Sequence, residues 1–289
     1  MKHTILFIYF ILMSAIIHSQ DLSDTFTFKV NDLDISLLNE VQRRGNASIL
    51  IGATSEMLEK TIPQGNYPSA VNAFLIKTKD KNILVDTGYG TKLFDNLATL
   101  GVSPAQIDVV LLTHMHGDHI GGLFKDEKIA FPNAKIYVSE LEHQYWVSDA
   151  SKNNPAQKVF DRYKDQMVFF DPVDLNEEQC LLPHIKAVKA YGHTPGHTMF
   201  LIESGKSKLL IWGDLTHALD VQIAYPEVAV TYDIDPKQAI ETRVATLKYV
   251  MEHNIPIVGM HVPSYSGKVK ITRGEDGGYI FVPLHLRPN

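Results

Sequence analysis

Short apolar runs separated by Gly, Pro, Asn and Asp mark the first third of the chain: Phe26–Val30, Ile35–Leu38, Ser48–Ile51, Val71–Ile76 and Asn82–Val85. Runs of this length bounded by turn formers predict strands. A helix-like stretch, Lys92–Leu100, stops at Gly101, and Ile107–Leu112 (IDVVLL) is continuously apolar. The latter is the pattern of a strand covered on both faces. Ala134–Val138 predicts another strand, and two polar, helix-favouring stretches follow to about Tyr163. Strands are again predicted at Ile185–Ala190, Met199–Glu203 and Lys208–Trp212, then at Pro256–Gly259, Val269–Thr272 and Tyr279–Val282. Pro236–Glu252 predicts the longest helix, with Pro at its start and Asp235 as N-cap. Val147–Glu178, rich in Asp, Asn, Lys and Gln, reads as a surface excursion or a lid. Two β-rich halves, each followed by helices, suit two sheets packed face to face with helices outside.

The extreme N-terminus breaks this pattern. Ile5–Ile17 is an apolar run of 13 residues behind Lys2, short of the roughly 18–20 needed to cross a bilayer but suited to a secretory leader. The expectation is a signal peptide over residues 1–20, cleaved near Ser19 or Gln20, and one domain over 21–289, exported to the periplasm or beyond with no stable membrane anchor. An uncleaved anchor or a buried helix is the alternative. Cys180 is the only cysteine, so stability must come from core burial or bound metal. The 289 residues, 45% hydrophobic and 21% charged, are those of a globular protein. A formal net charge of −6 without any Lys/Arg run argues against nucleic-acid binding.

Histidine changes the picture, because seven of the 13 fall into four short clusters. In Leu111-Leu112-Thr113-His114-Met115-His116-Gly117-Asp118-His119 an apolar strand runs into four metal-ligand candidates. His114 and His116, two apart on extended chain, project to one side, while Asp118 and His119 follow at a turn and can aim at a second point. Imidazole and carboxylate at a strand mouth suit zinc-type coordination. Tyr191-Gly192-His193-Thr194-Pro195-Gly196-His197-Thr198 offers His193 as a ligand, with His197 supporting the loop. Trp212-Gly213-Asp214-Leu215-Thr216-His217 ends a third strand in a carboxylate suited to bridging two cations, and Met260-His261-Val262 adds a histidine at a fourth strand end.

These clusters, in this order, resemble the metallo-β-lactamase superfamily, and the likeness runs from about Pro68 to the C-terminus. It implies an α+β fold, an αββα sandwich of two mixed sheets with metals at one edge. It also implies a first metal held by His114, His116 and His193, a second held by Asp118, His119 and His261, and Asp214 shared by both. Asp86, in Val85-Asp86-Thr87-Gly88, matches the family turn whose Asp supports the ligands.

Asp214 stands where the best-known β-lactamases have Cys or Ser, His116 disfavours a di-iron branch that has Glu there, and His217 replaces a Tyr frequent in lactonases. The likeness is greater to the methyl parathion hydrolase branch, through Ser69–Leu75, Thr113–Gly122, Ala130–Ala134 and Gly192–Thr198. That likeness implies an aromatic leaving-group pocket of Trp146, Phe94 and Phe160, and hints at a homodimer. The expected activity is hydrolysis of a small-molecule carboxylic ester, lactone or organophosphate triester by a hydroxide between two zinc ions. In this scheme Asp118 and Asp214 tether the hydroxide and accept its proton, and His217 supplies an acid. Alternatives are a glyoxalase-type thioesterase or mononuclear-iron sulfur dioxygenase on the same ligands, a β-lactamase, and a non-catalytic zinc-binding module.

Overall fold

The computed structural model describes residues 24–148, 154–263, 267–275 and 277–284; the expected leader lies outside them. The apolar runs assemble into two mixed sheets. The first has seven strands in the order Thr25–Val30, Leu33–Asn46, Asn66–Lys77, Asn82–Val85, Val109–Leu111, Lys135–Ser139, Met167–Phe170, antiparallel up to Asn82–Val85 and parallel beyond. The second has six: Ile185–Lys189, Thr198–Ser204, Ser207–Ile211, Ile257–Val258, Lys268–Arg273 and Tyr279–Leu284.

Side-chain alternation along these strands builds three apolar layers. Ile35, Leu37, Phe74, Ile76, Val109 and Leu111 meet Phe200, Ile202, Leu209 and Ile211 between the sheets. The opposite positions, Ala73, Leu75, Val110 and Leu112, pack outward against Leu93, Leu97, Val159 and Phe160 of the covering helices Leu93–Thr99 and Pro155–Tyr163. On the other flank Met199, Leu201, Leu210 and Trp212 meet Leu247 and Val250 of the 17-residue helix Pro236–Glu252. Asp235 caps that helix by accepting the Gln238 N–H, as its sequence predicts. The result is the αββα sandwich, and the IDVVLL run is covered on both faces because it lies mid-sheet.

Four stretches depart from the sequence reading. Ser48–Ile51 is a 3-10 turn, Ala47–Ile49, followed by only two residues of strand paired with Ala229–Val230. Val147–Glu178 is not an excursion throughout: Ala156, Val159, Phe160 and Tyr163 bury one stripe of a helix, and Met167–Phe170 forms the sheet edge. The helical spacing of those four residues is masked by the polar residues between them. The helices Ser55–Thr61 and Leu219–Ala224 carry no clear sequence signal.

A register shift at Asn39/Val41 leaves Glu40 as an extra residue in the strand Leu33–Asn46, a β-bulge. The Glu40 carboxylate accepts the backbone N–H groups of Gly90, Thr91 and Lys92, fixing the loop that follows Asp86. The parallel pairs Val85↔Leu111 and Ile211↔Val258 bring four chain segments to the same edge of the sandwich.

Candidate metal centre

All four histidine- and aspartate-bearing loops leave strands at that edge. Asn72 joins the sheets there: its amide donates to the carbonyls of Gly259 and Val262, and its backbone N–H to Met260, bracketing His261. The Thr198 N–H donates to Thr113 O at 2.9 Å, tying the second histidine loop to the first.

Four groups of donor atoms result, each within 4.8 Å of one another: His114/His116/His193, His114/His119/Asp214, Asp118/His119/His261 and His193/Asp214/His217. His114 Nε2 lies 2.9 Å from His116 Nδ1, which lies 3.1 Å from His193 Nε2. Three ring nitrogens at this spacing approach the edge of about 3.3 Å that tetrahedral zinc–nitrogen bonds would set. Asp214 Oδ2 is 2.9 Å from His261 Nε2, 3.2 Å from His217 Nε2 and 3.4 Å from His193 Nε2. His119 Nε2 and Asp214 Oδ1 are 3.3 Å apart, both buried, and neither has a hydrogen bond. Buried polar atoms are ordinarily satisfied; two orphans facing each other among imidazoles fit a cation. The donor set, nitrogen and carboxylate oxygen without thiolate, suits a divalent metal.

The far side of three of these rings is anchored, which sets tautomer and direction. His119 Nδ1 meets Asp86 Oδ2 at 2.6 Å, His193 Nδ1 meets Asp233 Oδ1 at 2.9 Å, and His261 Nδ1 donates to Ala70 O at 2.8 Å. Asp86, at φ 54°, holds a left-handed conformation tolerated by Asp. It also accepts the Thr113 N–H and hydroxyl. His197 is different: Nδ1 donates to Ala190 O and Nε2 accepts the Asp214 N–H, so both nitrogens are engaged by backbone. Gly213 is at φ 60°, and a Cβ there would collide with that His197 ring.

Burial holds His114 and His193 well below the ordinary imidazole range, and lowers His116 and His197 to about 4. All four are neutral, the form that ligates metal. Burial also works against protonation of His119, but Asp214, Asp86 and Asp118 outweigh it and push the pKa well above the usual value. For Asp214, burial opposes ionisation and is overcome by His119, His261 and His217, so the carboxyl is held well below its usual range.

Two carboxylates that sequence reading missed complete the site. Besides Asp233, the buried Glu142 accepts the Met115 N–H and Trp146 Nε1–H on one oxygen, and the Thr194 hydroxyl and Gly196 N–H on the other. Neither residue sits in a histidine cluster, and only the fold brings it there. Burial raises the pKa of Glu142 against these four hydrogen bonds.

A cleft of about 300 Å³ opens over the donors, lined by Arg43, Tyr89, His116, Gly117, Asp118, Asp214, His217, Tyr232 and His261. The aromatic pocket implied by resemblance does not form there. Phe94 and Phe160 pack into the outer core, Phe94 beside Phe131 and Phe160 beside His143, because their helices turn those positions toward the sheet. Trp146 stands edge-on to His116 at 5.6 Å but is absent from the cleft lining. Tyr89 and Tyr232 supply the aromatic rim instead.

Residues 66–253 match the family model of the metallo-beta-lactamase superfamily. The chain is 27% identical over 205 residues to the lactamase-like protein ptaB of Pestalotiopsis fici, spanning 68% of this chain and 53% of that protein. It is 30% identical over 129 residues to the N-acyl homoserine lactonase AttM of Azorhizobium caulinodans, spanning 42% and 46%. It thus spans about half the length of these curated relatives. Among solved structures, the dizinc quorum-quenching lactonase AidC, in complex with a product, superposes with a TM-score of 0.82 at 27% identity, covering 93% of this chain and 100% of that one. The hydrolase AbOPH of the beta lactamase superfamily gives 0.81 at 25% identity, with the same coverage. Fold, donor geometry and family match agree: the chain belongs to the metallo-β-lactamase superfamily.

Proposed function

We propose that this protein is an exported metal-dependent hydrolase that opens carboxylic esters, lactones or organophosphate triesters, using two divalent cations, zinc foremost. One observation carries the reading: His119 Nε2 and Asp214 Oδ1, buried and without hydrogen bonds, face each other at 3.3 Å amid convergent imidazoles. His114, His116 and His193 would hold one cation, Asp118, His119 and His261 the other, with Asp214 shared. Bound cations supply Lewis acidity toward the ester oxygen and lower the pKa of a coordinated water to about 7.

The remaining work falls to this chain's own groups. Asp118, part-exposed at the cleft, and Asp214, also lining it, would orient the attacking water and accept its proton. His217 Nε2, 3.2 Å from Asp214 Oδ2 and lining the cleft, can pass a proton to the departing oxygen. The lactonase activities stated for AidC and AttM support ester-type bonds as the target. His217 in place of tyrosine leaves the choice among lactone, ester and triester to assay.

That assay is turnover of p-nitrophenyl esters, lactones and paraoxon-like triesters, with and without chelator, alongside metal quantification. Chelator-sensitive turnover with two metals per chain is expected. One iron per chain, or no turnover by metal-loaded protein, would overturn the reading. Export is tested by cell fractionation and N-terminal sequencing, with a mature terminus near Ser19 or Gln20 expected and cytoplasmic protein retaining Met1 counting against it.

A further inference from the structure

The cleft mouth carries one cationic side chain, Arg43, beside two exposed tyrosines, Tyr89 and Tyr232. Arg43 has no ion pair among the described residues, and its one hydrogen bond is a long one, Nη1 to Tyr89 Oη at 3.5 Å. A guanidinium offers five N–H donors in a planar fork, so most of its donor capacity is unspent at the entrance to the donor cluster.

The backbones of the three rim residues are also tied closely to the groups that anchor the imidazoles below. Arg43 pairs with Ser69 on the ladder where Gln42 pairs with Ala70, and Ala70 O anchors His261. Tyr89 lies three residues after Asp86, which anchors His119, on the loop that Glu40 clamps. Tyr232 precedes Asp233, which anchors His193, and its ring lies 5.6 Å from that of His217. An unpaired guanidinium at the mouth of the donor cluster favours a substrate that presents two features within reach of both: the scissile bond and an anion.

We propose that Arg43 is a specificity-determining residue that pairs with a carboxylate carried by the substrate, so that the preferred substrates are carboxylate-bearing esters or lactones. Guanidinium and carboxylate match as a bidentate pair, and the Tyr89 hydroxyl and Tyr232 ring close the sides of that subsite. The proposal rests on the ester-hydrolase reading of the same cleft and adds the charge of its substrate.

The experiment compares mono-4-nitrophenyl adipate with 4-nitrophenyl hexanoate, two esters of equal acyl length differing by one carboxylate. Wild-type enzyme should favour the adipate ester in kcat/KM by about tenfold or more, the scale of a hydrogen bond to a charged group. Arg43→Ala should collapse that ratio toward one, with the loss in KM for the adipate ester, and Arg43→Lys should restore part of it. A ratio near one in wild type, or one preserved in Arg43→Ala, would overturn the proposal. Binding separates its failure from that of the ester reading: zinc-loaded wild type should bind adipate more tightly than hexanoate, and Arg43→Ala should bind both alike. No turnover with that binding difference intact sinks the ester reading alone; equal binding of the two acids by wild type sinks the Arg43 assignment.

Discussion

Glu142 Oε2 accepts the Gly196 N–H at 3.0 Å, and the backbone of Glu142 occupies the space where a side chain on Gly196 would stand. The helix Glu140–Ser148 is thereby pressed against the second histidine loop. With the Met115 N–H also on Glu142, one carboxylate positions the loops of His114, His116 and His193 together.

Replacing that carboxylate should loosen both loops at once. Glu142→Gln puts an amide NH2 where an oxygen accepts two donors, a buried mismatch costing about 1–3 kcal/mol. We expect a lower Tm and metal affinity weakened about 10–100-fold, the usual effect of losing a group that orients ligands. Gly196→Ala should show the same pair of defects by a steric route. Wild-type metal affinity in Glu142→Gln, measured by competition with a chromophoric chelator, would refute this positioning role.

Chelation should destabilise as well as inactivate. A ligand that binds only the folded state stabilises it by about 4 kcal/mol at a thousandfold excess over Kd. EDTA dialysis is therefore expected to lower Tm by several degrees, and added zinc to restore it. Asp214→Ala and His119→Ala should each lose most activity and bind less metal. Full metal occupancy in both variants would remove the two-cation arrangement.

His193 and His197 should separate by phenotype. His193→Ala removes one of three converging nitrogens and should lose metal. His197→Ala strands the Asp214 N–H and Ala190 O instead, so it should lower stability by about 1–3 kcal/mol with metal largely retained. Asp233→Asn, which removes the charge behind His193, should weaken metal binding about 10–100-fold. Metal analysis beside urea unfolding distinguishes the three.

Tyr67 supplies a pH dependence away from the donors. Burial raises its pKa to about 12, against 10.0 for a free phenol. Between those values the unfolded chain has lost the proton while the folded chain keeps it, so the unfolded state binds fewer protons and stability falls as pH rises from 10 to 12. Urea midpoints should decline more steeply over this window in wild type than in Tyr67→Phe. Parallel slopes would show that Tyr67 does not contribute.

The sandwich was legible wherever burial is written locally. The IDVVLL run, the short apolar runs between turn formers and the Pro-started, Asp-capped helix all carry their environment in consecutive residues. The clustered histidines and aspartates that the fold brings together were legible for the same reason, since each follows an apolar strand by a few positions. Glu142 and Asp233 were not: a lone acid looks solvated until a loop 54 or 40 residues away, respectively, is laid on it. Phe94 and Phe160 show the converse, aromatic residues assigned to a pocket by resemblance that helix orientation commits to the core.

The supernumerary Glu40 decides more than the loop it clamps. Up to Asn39, odd-numbered residues such as Ile35 and Leu37 face the gap between the sheets, whereas past the shift Arg43 stands opposite Ser69, in the row of Ala73 and Leu75. One inserted position therefore reverses the parity of everything downstream. Were the insertion to migrate past Arg43 along the strand, the guanidinium would swing to the sheet's reverse side, and the loop that Glu40 clamps after Asp86 would lose its anchor. Where the extra residue sits in this strand thus sets, in one stroke, what reaches the mouth and which loop is held beneath it.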